Sequence, residues 1–300
     1  MGSQLQVVEQ YRQSGEITKR VRGAVGDYVK PGASKLEVCE RVEDEIRRLG
    51  GKPAFPTGIG VNQVTAHYAP QEGDASRLGA ADLVKVDFGV HVDGYVTDTA
   101  VTVAFNREHE LMLNAAQRCL EVAIETARRD PRTGEVGRSI LLEASRFGFR
   151  TIENLTGHTV DRYVVHAGKS IPNLFLPGLP PLKLGDVFAI EPFVTAGSAA
   201  GYVVNSESTT IFAIAARKRT GKQELDQFME EVWDERKTLP FTPRWYSEKW
   251  GRGKVGPMVK ELVKRKVVHG YPTLVEASGS PVAQFEHTMA LEDGGLVVLT

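Results

Sequence analysis

Two aspartates in a stretch of β-branched residues have the spacing of a shared metal site. Asp87 and Asp98 lie in LVKVDFGVHVDGYVTDTAVTVA, residues 83–104, where apolar and β-branched residues flank the dipeptide Asp93-Gly94. An Asp-Gly pair between two such runs is typical of a hairpin with a two-residue type I′ loop. The stretch therefore predicts a β-hairpin with one aspartate on each strand.

The predicted register puts the two carboxylates on the same face of this hairpin. Gly89 would face Asp98 and Asp87 would face Ala100, because side chains alternate along each strand. Such diagonal neighbours have Cα atoms about 7–8 Å apart. Two carboxylates at this distance repel each other unless a cation lies between them, and divalent metals bind such oxygen pairs.

Two other interpretations of the hairpin need to be weighed. Aspartate is mostly an exposed residue, so the pair could simply face solvent on an edge hairpin. The letters DFG also occur in protein kinases, where the aspartate binds Mg²⁺. This chain has no HRD-type loop upstream, and it lacks a Gly-rich loop with a VAIK-type lysine. The kinase interpretation is therefore set aside.

Two histidines and two glutamates add candidate ligands. His158 and His166 lie in GHTVDRYVVHAG, and their even spacing would put both on one face of a continuous strand. Glu191 lies in the apolar strand VFAIEPF, where an ionised glutamate is costly to bury, so it either faces solvent or binds something. Glu286, followed by His287, lies inside the predicted strand VAQFEHTMAL.

Four carboxylates and one imidazole suit a pair of divalent ions such as Mn²⁺, Fe²⁺, Co²⁺ or Zn²⁺. Two ions about 3.5–4 Å apart can bridge a water, lower its pKa and polarise a carbonyl. Hydrolysis of an amide or ester is the chemistry expected. The candidate ligands are Asp87, Asp98, His158, Glu191 and Glu286.

The composition limits the class of protein. The chain has 300 residues, 41% of them hydrophobic, which is enough for one large core. A net charge of −1 gives no general attraction to nucleic acid or membranes. Cys39 and Cys119 belong to no CxxC or Cys/His cluster, which indicates a reducing compartment. No apolar run approaches the ~20 residues of a membrane span, and no signal core is visible, so we expect a cytoplasmic protein.

Helical spacing predicts the elements that position these residues. A capping box at Ser34 and Glu37 opens one helix, and Asp130-Pro131 ends another. His67 ends a Gly/Pro-punctuated segment and, taken alone, is more simply a packed or surface histidine. The predicted helices cover residues 4–30, 35–49, 107–129 and 134–147.

Residues 217–266 differ in character from the rest of the chain. They hold 14 Lys/Arg against 8 Asp/Glu and all three tryptophans. Two apolar stripes at helical spacing, from Leu225 to Trp233 and from Val255 to Val263, predict a small helical insert. Its basic balance is either a solvated face or a contact surface for ribosome or RNA.

The motifs KVDFGVHVDGYVTDTAVTVAFN, GHTVDRYVVHAG, AIEPF and AQFEHT together resemble the type II methionine aminopeptidases, in the short form found in archaea. The resemblance runs from about residue 5 to the C-terminus, with the order and spacing of the motifs intact. It implies an α+β pita-bread fold over residues 1–300, with two pseudo-symmetric halves around a dinuclear metal centre. It also implies that approximately residues 217–270 are the type II helical insert.

The resemblance implies a role for each candidate ligand. Asp87 would chelate one metal, and Asp98 and Glu286 would bridge both. His158 and Glu191 would complete the shell of the other metal. Glu191 is also the family's usual candidate for taking the proton from the bridging water.

The resemblance assigns the substrate contacts as well. His67 and His166 match the family's two non-ligand histidines, which contact the scissile amide, stabilise the tetrahedral intermediate and help proton transfer. An apolar, aromatic-walled pocket suits a thioether side chain. The positions that match its lining are Phe55, Val165, Phe193 and Tyr271.

The implied activity is removal of the initiator methionine from nascent chains whose second residue is small. One alternative is a proline-specific aminopeptidase or prolidase, although such proteins usually carry a large N-terminal domain and His67 comes too early for one. Another is a non-catalytic homologue that binds ribosome or RNA, against which the intact ligand set weighs. We expect a monomer without membrane contact, whose basic insert makes at most transient contact with the ribosome.

Overall fold

The computed structural model describes residues 7–300, so the first residues of the helix predicted over 4–30 lie outside the described part. The remaining predicted helices are confirmed with small shifts at their ends. The helices are α1 Glu9–Tyr28, α2 Lys35–Arg48, α3 Glu110–Arg129, α4 Thr133–Arg146, α5 Gln223–Arg236, α6 Ser247–Trp250 and α7 Val255–Lys264.

The strands form four small sheets. They are β1 Lys52–Pro53, β2 Gly58–Val61, β3 Val64–Ala66, β4 Leu83–Val92, β5 Tyr95–Ala104, β6 Phe149–Thr151, β7 Thr156–Val160, β8 Ser170–Pro172, β9 Val187–Ile190, β10 Phe193–Ala196, β11 Val203–Ile214, β12 Val268–Glu276, β13 Val282–Gln284, β14 His287–Glu292 and β15 Gly295–Val298.

The predicted hairpin is β4–β5, and its predicted register is confirmed. Gly89 pairs with Asp98 and Asp87 pairs with Ala100. Asp93 and Gly94 have φ values of 50° and 90°. Both central residues thus have the positive φ that a type I′ loop requires.

Two helix pairs cover the sheets and bury two cores. Helices α1 and α2 pack their valines and Ile46 against the apolar face of β4, around Val86 and Val90. Helices α3 and α4 pack against each other and bury Phe188 and Met289 of the five-stranded sheet β15-β14-β9-β7-β8. Each half thus places a helical layer behind a sheet, and the site lies where the sheets meet.

Three predicted strands are interrupted next to a site residue. Residues 157–168 are not one continuous strand, because β7 ends at Val160 and the chain reverses through a turn closed by Asp161 and Val164. The predicted strand 187–193 breaks at Glu191, where Pro192 lacks the N–H that a ladder needs. The predicted strand 282–291 breaks at Glu286, whose N–H leaves the ladder and donates to the Ala100 carbonyl at 3.1 Å.

The segment between β11 and β12 contains α5, α6 and α7, which enclose an aromatic core of their own. Phe228 makes edge-on ring contacts with Phe241, Tyr246 and Trp250. Residues 268–270 already pair with β11, so the helical part ends earlier than residue 270. Among residues 7–300, no helix combines the length and apolar character needed to cross a membrane.

Candidate metal centre and substrate pocket

All of the predicted site residues line one cavity of about 230 Å³. The strand interruptions place three of these residues at the cavity. Glu191 and Glu286 lie in gaps between strands, and His166 lies just after the turn that follows β7. The cavity is lined by Phe55, His67, Asp87, Asp98, His158, Val165, His166, Glu191, Phe193, Tyr271 and Glu286, together with Asn154, Leu155, Thr156, Ile211 and Pro240.

The polar end of the cavity gathers the candidate ligands. One ligand atom from each of Asp98, His158 and Glu286 lies within 4.8 Å of the other two. His158 Nε2 is 3.6 Å from Asp98 Oδ2 and 3.5 Å from Glu191 Oε1. Asp98, His158 and Glu286 are at most 5% exposed, whereas Asp87 and Glu191 are partly exposed towards the cavity. These donors can therefore converge on ions in one small volume.

The four carboxyl groups resist ionisation together. Burial raises the pKa of Asp87 to about 7. Burial, and then the negative charge of Asp87, raises the pKa of Asp98 well above its usual range. The pKa values of Glu191 and Glu286 are raised by burial and then by Asp98. Without a compensating positive charge, ionised carboxylates in this arrangement are unfavourable.

Unpaired oxygens show where a cation fits. Among the described residues, Asp87 Oδ1 and Asp98 Oδ1 are buried and have no hydrogen-bond partner. A buried carboxylate oxygen without a partner is costly, and a divalent ion coordinated by it would remove that cost. Burial, and then the charge of His166, lowers the pKa of His158 to about 3, so its imidazole is in the neutral form that binds metal. This donor set fits a divalent metal centre.

Threonine side chains join the two strand segments that carry Asp98 and Glu286. Asp98 N–H donates to Thr288 Oγ1, which donates back to the Asp98 carbonyl, each at 2.7 Å. Thr99 Oγ1 donates to the Glu286 carbonyl at 2.8 Å. Arg22 of α1 donates to the same carbonyl at 2.9 Å, and its charge opposes the pKa rise at Glu286. Sequence reasoning missed these supports, because they join residues distant in the chain.

Gln284 is a further polar residue that sequence reasoning missed. Its Nε2 donates to Glu191 Oε2 at 3.3 Å, and its backbone N–H donates to Thr102 Oγ1 at 2.9 Å. It is fully buried two residues before Glu286. A glutamine in the apolar run VAQF was the available signal, since buried amides need partners.

The apolar end of the cavity explains a glycine in the hairpin. A Cβ at Gly89 would lie 2.5 Å from Phe55 Cε1 and 2.9 Å from the Ala54 Cβ. The Phe55 ring thus lies directly on the backbone of the residue opposite Asp98. Any side chain at position 89 would push this wall into the cavity.

Two histidines that are not in the ligand cluster flank the polar end. His67 adopts the left-handed φ of 63° and its ring makes an edge contact with Tyr271 at 5.8 Å. The His166 and His158 ring centroids are 4.2 Å apart. Burial, and then the charge of His166, lowers the pKa of His67 to about 4, and burial lowers that of His166. Each imidazole is then neutral at pH 7, with one nitrogen that donates and one that accepts.

A cluster of carboxylates and a neutral imidazole beside an apolar pocket defines the class of a metal-dependent hydrolase. The chain belongs to metallopeptidase family M24, which matches residues 9–293.

The comparisons with known proteins narrow this class. The chain is 40% identical over 294 residues to the methionine aminopeptidase of Pyrococcus horikoshii. The aligned region covers 98% of this chain and 99% of that protein. The predictions of a metal-dependent aminopeptidase and of a methionine aminopeptidase of family M24 are thus confirmed.

Solved structures agree on the fold. A thermophilic Arx1 superposes with a TM-score of 0.83 at 18% identity, over 98% of this chain and 91% of the other. The methionine aminopeptidase of Thermotoga maritima superposes with a TM-score of 0.70 at 22% identity, over 99% of this chain and 98% of the other. The predicted α+β pita-bread fold is confirmed, and at these identities the likeness concerns the fold alone.

Proposed function

We propose that this chain is a type II methionine aminopeptidase that removes the initiator methionine from nascent polypeptides in the cytoplasm. The observation that carries the proposal is the convergence of every predicted ligand and pocket residue on one cavity. The full-length identity of 40% to a methionine aminopeptidase supports the same substrate class.

In this proposal two divalent ions, Mn²⁺, Co²⁺, Fe²⁺ or Zn²⁺, supply Lewis acidity and lower the pKa of a bound water when present. The residues that would hold these ions are Asp87, Asp98, His158, Glu191 and Glu286. The close grouping of Asp98, His158 and Glu286 supports this assignment. The unpaired oxygens of Asp87 and Asp98 support it independently.

The protein's own groups would then handle the proton and the developing charge. Glu191 accepts the proton of the attacking water, with one of its oxygens oriented by Gln284. His67 and His166 are neutral, so each can donate an N–H to the scissile amide and to the oxyanion of the tetrahedral intermediate. The side chain of the departing methionine lies among Phe55, Phe193 and the other apolar residues of the wall.

The remaining parts of the proposal concern selectivity and partners. Limited room beside the ions would restrict the second residue of the substrate to a small side chain. The segment at approximately 217–270 would be the type II insert, and its exposed Arg217, Lys218 and Arg219 suit transient contact with ribosomal phosphate. The protein would act as a monomer.

A peptide time course tests the proposed function. The protein is stripped with chelator, given back Mn²⁺ or Co²⁺, and incubated with Met-Ala-Ser and Ala-Pro peptides. Metal-restored release of methionine from Met-Ala-Ser alone, followed by mass spectrometry, is the expected result. Cleavage of Ala-Pro instead would assign the chain to the proline-specific branch, and no cleavage would favour a binding protein.

His67→Ala is expected to lower kcat by about 10²–10⁴-fold, the usual contribution of a positioned acid–base group. Metal content should stay near that of the wild type, because His67 is placed outside the ligand cluster. Steady-state kinetics and metal analysis on the same sample measure both quantities. His109→Ala, on a turn before α3, is the matched control. If metal and rate fell in parallel, His67 would be a structural support.

A further inference from the structure

Arg236, the last residue of α5, carries a buried guanidinium at the junction between the helical segment and the rest of the fold. Arg236 is only 5% exposed. Nη1 donates to the Pro53 carbonyl at 2.8 Å, and Nη2 donates to the Ala54 carbonyl at 2.8 Å. Nη2 also donates to the Pro240 carbonyl at 3.0 Å. One side chain therefore joins two chain segments that are distant in sequence.

Both segments reach the wall of the apolar pocket. Ala54 directly precedes Phe55, and Phe55 and Pro240 both line the cavity. The Ala54 N–H also donates to the Gly89 carbonyl at 2.8 Å, so the strand opposite Asp98 fixes this backbone from the other side. The backbone next to Phe55 is thus hydrogen-bonded to the β4–β5 hairpin on one side and to Arg236 on the other.

The other end of the Phe55 segment is also tied to the insert. Thr57 N–H donates to Glu43 Oε1 at 3.1 Å, and Glu43 is 1% exposed. Glu43 in turn accepts from Arg244 at 2.9 Å and from the Trp245 indole at 2.7 Å. The Arg236 guanidinium lies 4.9 Å from the centre of the Trp245 ring. Residues 53–57 are therefore anchored at both ends by residues of the insert or by a group that the insert binds.

The planar fork of the guanidinium presents several donors in a fixed geometry, and here it serves three carbonyls of two segments at once. A lysine ammonium lacks this fixed fork, and an apolar side chain could donate to none of the three carbonyls. Burial lowers the pKa of Arg236 to about 10, so the group keeps its charge at neutral pH. Since removal of the guanidinium leaves buried carbonyls unpaired, the two walls would move to find other partners.

We infer that Arg236 is a positioning residue that sets the width of the side-chain pocket and so determines the preference for methionine at the substrate N-terminus. This inference rests on the proposed function, which it deepens by assigning selectivity to the insert. Arg236 touches neither the candidate ligands nor the pocket interior. Its loss should therefore alter substrate binding and selectivity more than the chemical step.

The test compares Arg236→Met with Arg129→Met, which replaces an exposed arginine that likewise is the last residue of its helix, α3. We measure kcat and KM on Met-Ala-Ser and Leu-Ala-Ser, with metal content and thermal melting on the same samples. For Arg236→Met we expect a KM for Met-Ala-Ser raised about tenfold, kcat within about twofold, and a Met/Leu selectivity reduced about tenfold. Arg129→Met should match the wild type.

A double-mutant cycle asks whether the effect passes through Phe55. In a Phe55→Ala background, Arg236→Met should cause a clearly smaller further loss of Met/Leu selectivity, because one of the two walls that it positions is gone. Additive losses would overturn the inference. If Arg236→Met does not fold, Arg236→Lys, which keeps the charge but lacks the planar fork, replaces it in the same cycle. If the wild type releases no methionine, the proposed function fails; if it does and Arg236→Met keeps wild-type selectivity, this inference alone fails.

Discussion

Asp98→Ala and Glu286→Ala are each expected to reduce kcat/KM for Met-Ala-Ser by on the order of a thousandfold, a loss of about 4 kcal/mol of transition-state stabilisation. Each substitution removes a buried carboxylate from the group that includes His158. The proposed metal pair would lose a ligand that contacts both ions. The remaining acids could not hold the pair in a productive arrangement.

Kinetics and metal analysis of the purified variants check this expectation. Glu125→Ala, an exposed glutamate of α3, is the matched control and should behave as the wild type. Melting temperatures of the metal-free proteins show whether the variants are folded. Near-normal turnover by either Asp98→Ala or Glu286→Ala would contradict the dinuclear proposal.

Removal of divalent metal is expected to abolish activity and to make folding stability fall as the pH rises. In the metal-free protein the folded-state pKa of Asp87 is raised to about 7 by burial. A carboxyl group with a raised pKa binds its proton more tightly in the folded state than in the unfolded chain. Its stabilising contribution is complete below the unfolded-state pKa of about 4 and is lost as the pH rises through about 7. Added Mn²⁺ or Co²⁺ should therefore stabilise the protein most at the upper end of this range.

Thermal melting from pH 5 to pH 8, with chelator and with added metal, measures this dependence. Asp87→Asn has no carboxyl group to titrate at that position, so its metal-free stability should fall less steeply with pH. A metal-free wild type with the same pH dependence as Asp87→Asn would show that Asp87 does not carry this linkage.

The hairpin could be predicted from sequence down to its residue pairing, because the residues that determine the pairing are close together in the chain. Asp93-Gly94 sets the loop, and the loop length then fixes which residue opposes Asp98. The positions of Glu191 and Glu286 were also predicted, but as strand residues. Both instead lie in gaps between strands, where the carboxylate can turn towards the cavity.

Long-range contacts could not be predicted in the same way. His158 and His166 come together through a turn and not along one strand, so their even spacing was an unsound reason for their proximity. Arg236 and Gln284 gave little signal because their partners, Pro53 and Glu191, lie far away in the chain. Amphipathic spacing predicted the helices of the insert but contains no information on which loop those helices would contact.

The threonine bonds between the two halves have a consequence for the order of events in folding. The hydrogen bond between Asp98 and Thr288 joins residues 190 positions apart, whereas the loop that closes the β4–β5 hairpin has only two residues. Contacts over such separations carry a large loop-closure entropy and form late, whereas a hairpin forms within microseconds. An intermediate with the hairpin alone presents two repelling aspartates and no complete ligand set. Capture of divalent metal by this ligand set therefore requires that the two halves have docked. A partly folded chain has no hydrolytic centre with which to cleave other proteins.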